Sequence, residues 1–191
     1  MNKYLSAIGI LMLFADSNAQ FKKGYYYDKE NNKVPGLIKL HYGATLVNKK
    51  SDGYCDITFK ETDDGKHTRF TTNDINSFVI GSDSFAIVRD FYMDAYTHFA
   101  QDFAEVVETG KINLYRYYTT INFTNYTKTM TVWLVEKNGK INYIDKRRFK
   151  NEFANRYLAD NPEIITQIKT KDLKFRDMQE IVKLYNEYFK Q

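Results

Sequence analysis

Three side chains with metal-binding chemistry, Asp94, His98 and Asp102, follow one another at intervals of four residues. In a helix this spacing would place two carboxylates and an imidazole on one face, where they could hold a metal ion. The surrounding stretch, FYMDAYTHFAQDF, fits equally well a loop that leads into a strand, which would separate the three side chains. We predict no metal site and no cofactor.

Cys55 is the single cysteine of the chain, so it cannot form an intrachain disulfide. It could act as a nucleophile only with a histidine base within hydrogen-bonding distance, and the sequence does not show whether His41 or His67 approaches it. In the stretch YCDITF the cysteine alternates with Ile57 and Phe59. This alternation favours a buried structural thiol.

Tyrosine and phenylalanine are abundant, with 16 Tyr and 14 Phe. Consecutive tyrosines in GYYYD and LYRYYTT must point to both faces of a strand, so some should lie outside the core. Exposed tyrosines can stack on sugar rings or line protein interfaces, although tyrosine is also simply a favourable strand residue. Tyr26, Tyr115 and Tyr117 are therefore our candidate binding residues, with an envelope protein or a glycan as the partner.

Catalytic motifs are missing from the sequence. It contains no Gly-x-Ser-x-Gly elbow, phosphate loop, dinucleotide fingerprint or His-Glu-x-x-His pair. We predict no catalytic residue, but an enzyme whose site is assembled from distant residues stays open.

The first 19 residues have the layout of a secretory signal peptide. Lys3 precedes an uncharged, mostly apolar run from 4 to 15, and Ser17 and Ala19 place small residues before a cleavage site. Asp16 interrupts the run after twelve residues, too few to cross a bilayer. We predict cleavage between Ala19 and Gln20, a single domain over 20–191, and no transmembrane segment after signal removal.

The positive charge is concentrated at the C-terminal end. Residues 146–191 contain eleven Lys and Arg against seven Asp and Glu, which equals the net charge of +4 of the whole chain. The densest cluster comprises Lys146, Arg147, Arg148 and Lys150. It fits a solvated helix face or contact with an anionic surface; the cluster is short and the chain carries an export signal, so we predict no nucleic-acid partner.

The periodicity of apolar residues changes near Asp145. Before it, short runs alternate apolar and polar residues, as half-buried strands do. The sequence predicts strands over 37–42, 54–60, 66–71, 77–80 and 84–91, and two similar hairpins at Thr109-Gly110 and Asn138-Gly139. After it, apolar residues recur at helical spacing. The predicted fold is α+β: a curled antiparallel β-sheet or partly closed barrel over 20–145, with a helical segment over 146–191 packed on it.

Three stretches are distinctive: FKKGYYYDKENNKVPGLIKL after the signal, VVETGKINLYRYY in the centre and MQEIVKLYNEYF at the end. Together they resemble a group of exported proteins of Bacteroidota that has no established activity. The polar turn at 30–33 departs from the Gly-Asp that this group often has. The resemblance implies export to the periplasm or outer-membrane region and transfers no site residue.

Together these features favour an exported, non-catalytic accessory or binding protein of the bacterial cell envelope. Two alternatives stay open: a periplasmic hydrolase with a site assembled from distant residues, and a small-ligand carrier with an apolar pocket inside the curled sheet.

Overall fold

The computed structural model describes residues 20–42, 55–93, 97–122 and 127–190, so the predicted signal peptide lies outside the described residues. Ten strands precede the helices in the described ranges. They are β1 (Lys22–Tyr27), β2 (Lys33–Tyr42), β3 (Cys55–Lys60), β4 (Thr68–Phe70), β5 (Ser77–Ile80), β6 (Asp83–Tyr92), β7 (His98–Glu108), β8 (Asn113–Asn122), β9 (Thr127–Lys137) and β10 (Lys140–Ile144).

All ten strands belong to one antiparallel sheet, in the order β10-β9-β8-β7-β6-β5-β1-β2-β3-β4. Within the described ranges the sheet does not close, because β10 and β4 have no described strand on their outer sides. It curls strongly, since β2 approaches β8, β3 approaches β7 and β10 approaches β6, although none of these pairs are neighbours in the sheet. The predicted curled antiparallel sheet is confirmed, in its open rather than its partly closed form.

The two ends of the sheet curl toward opposite faces of the shared strands β6–β8. Tyr118 and Phe103 belong to the core inside the first curl, whereas their chain neighbours Tyr117 and Ala104 belong to the core inside the second. Adjacent residues of a strand point to opposite faces, so the two cores lie on opposite sides. We call the space enclosed by β1–β3 and β5–β8 the first curl.

The C-terminal segment is helical, as predicted. Helix α1 (Lys146–Arg148) runs into a π-helix (Phe149–Tyr157), followed by α2 (Pro162–Thr170), a 3₁₀ turn (Phe175–Asp177) and α3 (Met178–Tyr188). Three aromatic residues spaced by four form a buried stripe along the π-helix: the ring centroids of Phe149 and Phe153 lie 5.8 Å apart, and those of Phe153 and Tyr157 lie 6.1 Å apart. These rings pack with α2 and α3 against β8, β9 and β10, and thereby complete the α+β fold.

The caps of α2 explain why this helix starts where it does. The side chain of Asn161 accepts a hydrogen bond of 3.2 Å from the backbone N–H of Ile164, and Pro162 occupies the first turn, where a missing amide hydrogen costs nothing.

Among the described residues, no helix combines the length and the apolar character that crossing a membrane requires.

The two similar hairpins differ in their turns. Asn138 and Gly139 both have positive φ (54° and 73°), as a type I′ turn requires, so that prediction is confirmed. Gly110 does not have positive φ, and the expectation that Thr109-Gly110 makes the same turn is wrong. The glycine is needed for space, because a β-carbon there would lie 2.6 Å from Cγ of Asn186. That asparagine bonds both the N–H and the C=O of Ile112 and thereby fastens α3 to the hairpin.

Candidate functional site

A concave pocket of about 250 Å³ lies on the inner face of the first curl. Its walls are β2 on one side and β8 on the other, while β5, β6 and β7 form its floor. Apolar side chains make up part of the lining: Ile38, Leu40, Ile80 and Phe85. The polar lining comprises Gln20, Lys22, Tyr42, Asp83, Glu105, Tyr118 and Thr131. We call this cavity the curl pocket.

Glu105 is the polar centre of the curl pocket. Its side chain lies on a buried strand, only 9% exposed. One carboxylate oxygen accepts a hydrogen bond of 2.6 Å from Arg116, and the other accepts one of 2.5 Å from the hydroxyl of Tyr118. The Arg116 guanidinium also lies 5.2 Å from the Trp133 ring centroid. Both donors fix the carboxylate in place, and each oxygen still has a lone pair with which to accept from a ligand.

Two tyrosines close the pocket from opposite walls. The ring centroids of Tyr42 on β2 and Tyr118 on β8 lie 4.7 Å apart, so the two walls of the pocket are in contact there. Burial raises the pKa of Tyr118, and its hydrogen bond to Glu105 raises the pKa further, against the opposing effect of Arg116. Burial also raises the pKa of Tyr42, with a further contribution from Cys55. Both phenols are therefore neutral at physiological pH and offer hydroxyl groups rather than charge.

Asp83 and Glu105 place two carboxylates on one face of the sheet. Glu105 pairs with Phe85 across β6 and β7, so Asp83, two residues earlier, is its diagonal neighbour. Diagonal neighbours are roughly 7–8 Å apart. Paired carboxylates at such spacing also serve glycoside hydrolysis, in which one must be a protonated acid. Both carboxylate oxygens of Glu105 already accept hydrogen bonds, one from Arg116 and one from the hydroxyl of Tyr118.

The thiol of Cys55 has no histidine base in His41. Cys55 faces the core of the first curl, whereas His41 pairs with Asp56 on the other face of the β2–β3 pair, where its ring lies 2.9 Å from the hydroxyl of Thr58. Burial raises the pKa of the thiol well above its ordinary value, with Asp102 as a further cause. His67 instead contacts the ring of Phe21, at 5.1 Å between centroids. The thiol is a buried core group.

The helical arrangement of Asp94, His98 and Asp102 is wrong, because His98 and Asp102 lie on strand β7, and Asp94 lies outside the described residues. Four strand residues span roughly 13 Å, so these two side chains do not converge. His98 instead lies 2.7 Å from the carboxylate of Asp90. The described residues contain no group of three or more His, Cys, Asp or Glu side chains placed to hold a metal ion.

Asp102 has a structural position that the sequence did not suggest. Its buried carboxylate accepts hydrogen bonds from the backbone N–H of Cys55 (3.1 Å), from that of Phe103 (2.7 Å) and from the hydroxyl of Tyr117 (2.6 Å). One side chain of β7 thus connects β3 to β8 through hydrogen bonds and stabilises the first curl.

The three candidate tyrosines do not form one exposed face. Tyr26 is half-buried against the rings of Phe59 and Phe70, with centroids 4.9 and 4.8 Å away. Tyr115 is half-buried and donates a hydrogen bond of 2.8 Å to Glu136. Tyr117 is fully buried, so it is a core residue and no surface ligand can reach it. None of the three lines the curl pocket.

Sequence reasoning missed Glu105, Tyr118 and Asp83 as members of one site. A signal existed in LYRYYTT, where alternation places Tyr118 on the face opposite Tyr117. The approach of β2 to β8 is not encoded in any local pattern, and it alone brings Tyr42 to Tyr118.

No protein-family model, curated protein or solved structure matches the chain.

Proposed function

We propose that the chain is an exported, non-catalytic binding protein of the bacterial cell envelope that holds a small polar ligand in the curl pocket. The observation that carries the proposal is the convergence of Glu105, Asp83 and Tyr118 in one concave cavity of about 250 Å³ on the inner face of the sheet. Concave sites of this kind, part apolar with a few fixed polar groups, are typical of ligand binding.

The lining indicates the class of ligand. Two carboxylates and the hydroxyl groups of Tyr42 and Thr131 favour a molecule with several hydrogen-bond donors. The apolar part of the lining favours a molecule with an apolar ring face. A sugar or a similar polyol has both properties. The volume is below the 300–1,000 Å³ that is usual for drug-sized ligands, so the ligand corresponds to about one ring.

Export supports the same function from the sequence. The signal-like N-terminus and the resemblance to exported Bacteroidota proteins motivate a periplasmic or outer-membrane location. Gln20 and Lys22 line the curl pocket, so cleavage after Ala19 would place the new amino terminus beside it. The mature chain would then carry an ammonium group near the carboxylates of Asp83 and Glu105.

A binding experiment tests the proposal. The chain from Gln20 onward is incubated with a small-molecule extract of the host envelope, separated by size exclusion, and analysed by mass spectrometry for a retained molecule. We expect one retained polyol, at least tenfold less of it with Glu105→Gln, and reduced retention with Asp83→Asn. The second variant alters an exposed rim residue, so it tests the pocket without disturbing the core.

Glu108→Gln is the matched control, because Glu108 lies on the same strand but does not line the pocket. Failure of the wild type to retain any molecule, or equal retention by all variants, would overturn the proposal.

The diagonal pair of Asp83 and Glu105 favours one second candidate, a periplasmic glycoside hydrolase. Incubation with chromogenic glycosides, esters and peptides separates the two. Binding predicts no turnover on any substrate. Turnover that Asp83→Asn and Glu105→Gln both abolish would assign catalysis to this pair instead.

A further inference from the structure

A second cavity lies in the helical segment, and all the residues that line it fall between 146 and 176. It has a volume of about 420 Å³, within the range of small-molecule sites. Its floor is apolar and comprises the buried residues Phe149, Ile168 and Leu173 with the half-buried Phe175. These side chains come from the π-helix, α2, the loop after it and the 3₁₀ turn.

The rim of this cavity is positively charged. Five cationic side chains line it and no carboxylate does: Lys146, Lys150, Lys171, Lys174 and Arg176. Among the described residues, Arg176 alone of the five has an ion-pair partner, Asp177 at 3.5 Å. Cations on a protein surface are usually interspersed with acids, because like charges repel one another. The four lysines therefore leave a positive potential over an apolar floor.

The backbone at Lys171 supports a role for this rim. This residue ends α2 with φ of 70°, in the left-handed region where glycine or asparagine is the usual residue. A lysine there is strained, and strained conformations of this kind cluster at functional sites. The residue places its charge beside the cavity at a position where glycine would stabilise the helix end better.

The geometry points to an anionic amphiphile as the occupant: we propose that this cavity binds one alkyl chain on its apolar floor, with a carboxylate, phosphate or sulfate group held by the lysine rim. An apolar floor alone would accept any hydrophobic molecule, and a basic rim alone would accept any anion. A cavity with both features selects a molecule that has both an alkyl chain and an anionic group. We call the cavity the amphiphile pocket.

Another cavity adjoins the amphiphile pocket. It also has a volume of about 420 Å³ and shares Lys146 and Phe175 with the amphiphile pocket. Met93 and Met130 line it, and methionine side chains adapt readily to the shape of an apolar ligand. The two cavities therefore lie side by side at Lys146 and Phe175.

Calorimetric titration of the chain from Gln20 onward with sodium decanoate, below its micelle concentration and at low salt, tests the proposal. We expect saturable binding that strengthens up to about fourfold for each methylene added from hexanoate to decanoate, the equivalent of about 0.8 kcal/mol for each buried methylene. Decyltrimethylammonium, with the same chain and the opposite charge, should bind at least tenfold more weakly. Butyrate should not bind detectably.

Lysine variants locate the headgroup. The double variant Lys171→Gln/Lys174→Gln should weaken decanoate binding roughly 2- to 30-fold, as expected for two partly exposed ion pairs. Lys183→Gln/Lys190→Gln is the matched control, because it removes the same charge from exposed lysines that do not line the cavity. All four positions are exposed, so the variants should fold normally.

Equal binding of decanoate and decyltrimethylammonium would overturn the proposal and leave a non-selective apolar cavity. So would equal effects of the two double variants. Flotation with phosphatidylglycerol vesicles, without any binding of monomeric decanoate, would overturn it in favour of a membrane surface. The curl pocket is a separate cavity, so failure of either proposal leaves the other standing.

Discussion

At the scale of single residues, the fully buried carboxylate of Asp102 connects three strands of the sheet. Asp102 accepts hydrogen bonds from β3, from its own strand and from Tyr117 on β8. Buried charges are costly unless several donors satisfy them, and removal of one donor leaves part of that cost uncompensated. Asp102 is therefore a structural residue of the curl rather than a metal ligand.

The Tyr117→Phe variant tests this role. Loss of the hydroxyl removes a hydrogen bond of 2.6 Å to the fully buried carboxylate of Asp102. The free energy of unfolding should therefore fall by about 1–3 kcal/mol. Tyr115→Phe is the matched control. Its hydroxyl is only half-buried and donates to Glu136, so its loss should cost about 1 kcal/mol or less. Urea denaturation measures both, and equal losses would contradict the assignment.

The same residue shows what sequence reasoning lacks at this scale. Spacing placed Asp102 with Asp94 and His98, but the partners that matter are Cys55 and Tyr117, on other strands. The burial of Cys55 was predictable from its alternation with Ile57 and Phe59, because strand alternation is a local property. Contacts between distant strands are not local.

At the scale of elements, an ion-pair cluster connects the helices to the sheet. Asp160, between the π-helix and α2, lies 3.2 Å from both Lys111 and Lys137, and the hydroxyl of Tyr185 on α3 donates to it at 2.6 Å. Burial alone would raise the pKa of Asp160, but the hydrogen bonds from Tyr185, Lys111 and Lys137 outweigh it and lower that pKa to about 2.

Asp160→Asn should therefore reduce stability in a pH-dependent way. The ionised carboxylate stabilises the fold fully above its ordinary pKa of 3.8, and this contribution is lost as the pH falls toward 2. The melting temperature of the variant should lie below that of the wild type at pH 6, and the difference should shrink between about pH 4 and pH 2. Asp64→Asn, in the exposed turn before β4, is the control and should change little. A difference that is constant with pH would contradict this role.

Sequence reasoning succeeded best for elements. The boundaries of β5 and the Asn138-Gly139 turn were predicted, because alternation and turn chemistry are set by neighbouring residues. It failed at Gly110, because the need for glycine comes from Asn186, 76 positions later in the numbering. It also left β7 undecided between strand, loop and helix, since FYMDAYTHFAQDF carries no clear period.

At the scale of the whole molecule, the curled open sheet and the helices that pack on it each carry a cavity. The first curl encloses the curl pocket, and the C-terminal helical segment carries the amphiphile pocket. The predicted α+β class follows from composition and periodicity alone. The pockets do not, because they depend on how β2 approaches β8 and on how the helices pack on one another.

Export and ligand binding together form the central claim. Native mass spectrometry of the protein isolated from its own host tests both at once, because it reports the length of the chain and any molecule that the chain retains. The account predicts a chain that begins at Gln20 and carries a small polar molecule released on mild activation. A chain that still begins at Met1, or one that carries no bound molecule, would contradict it.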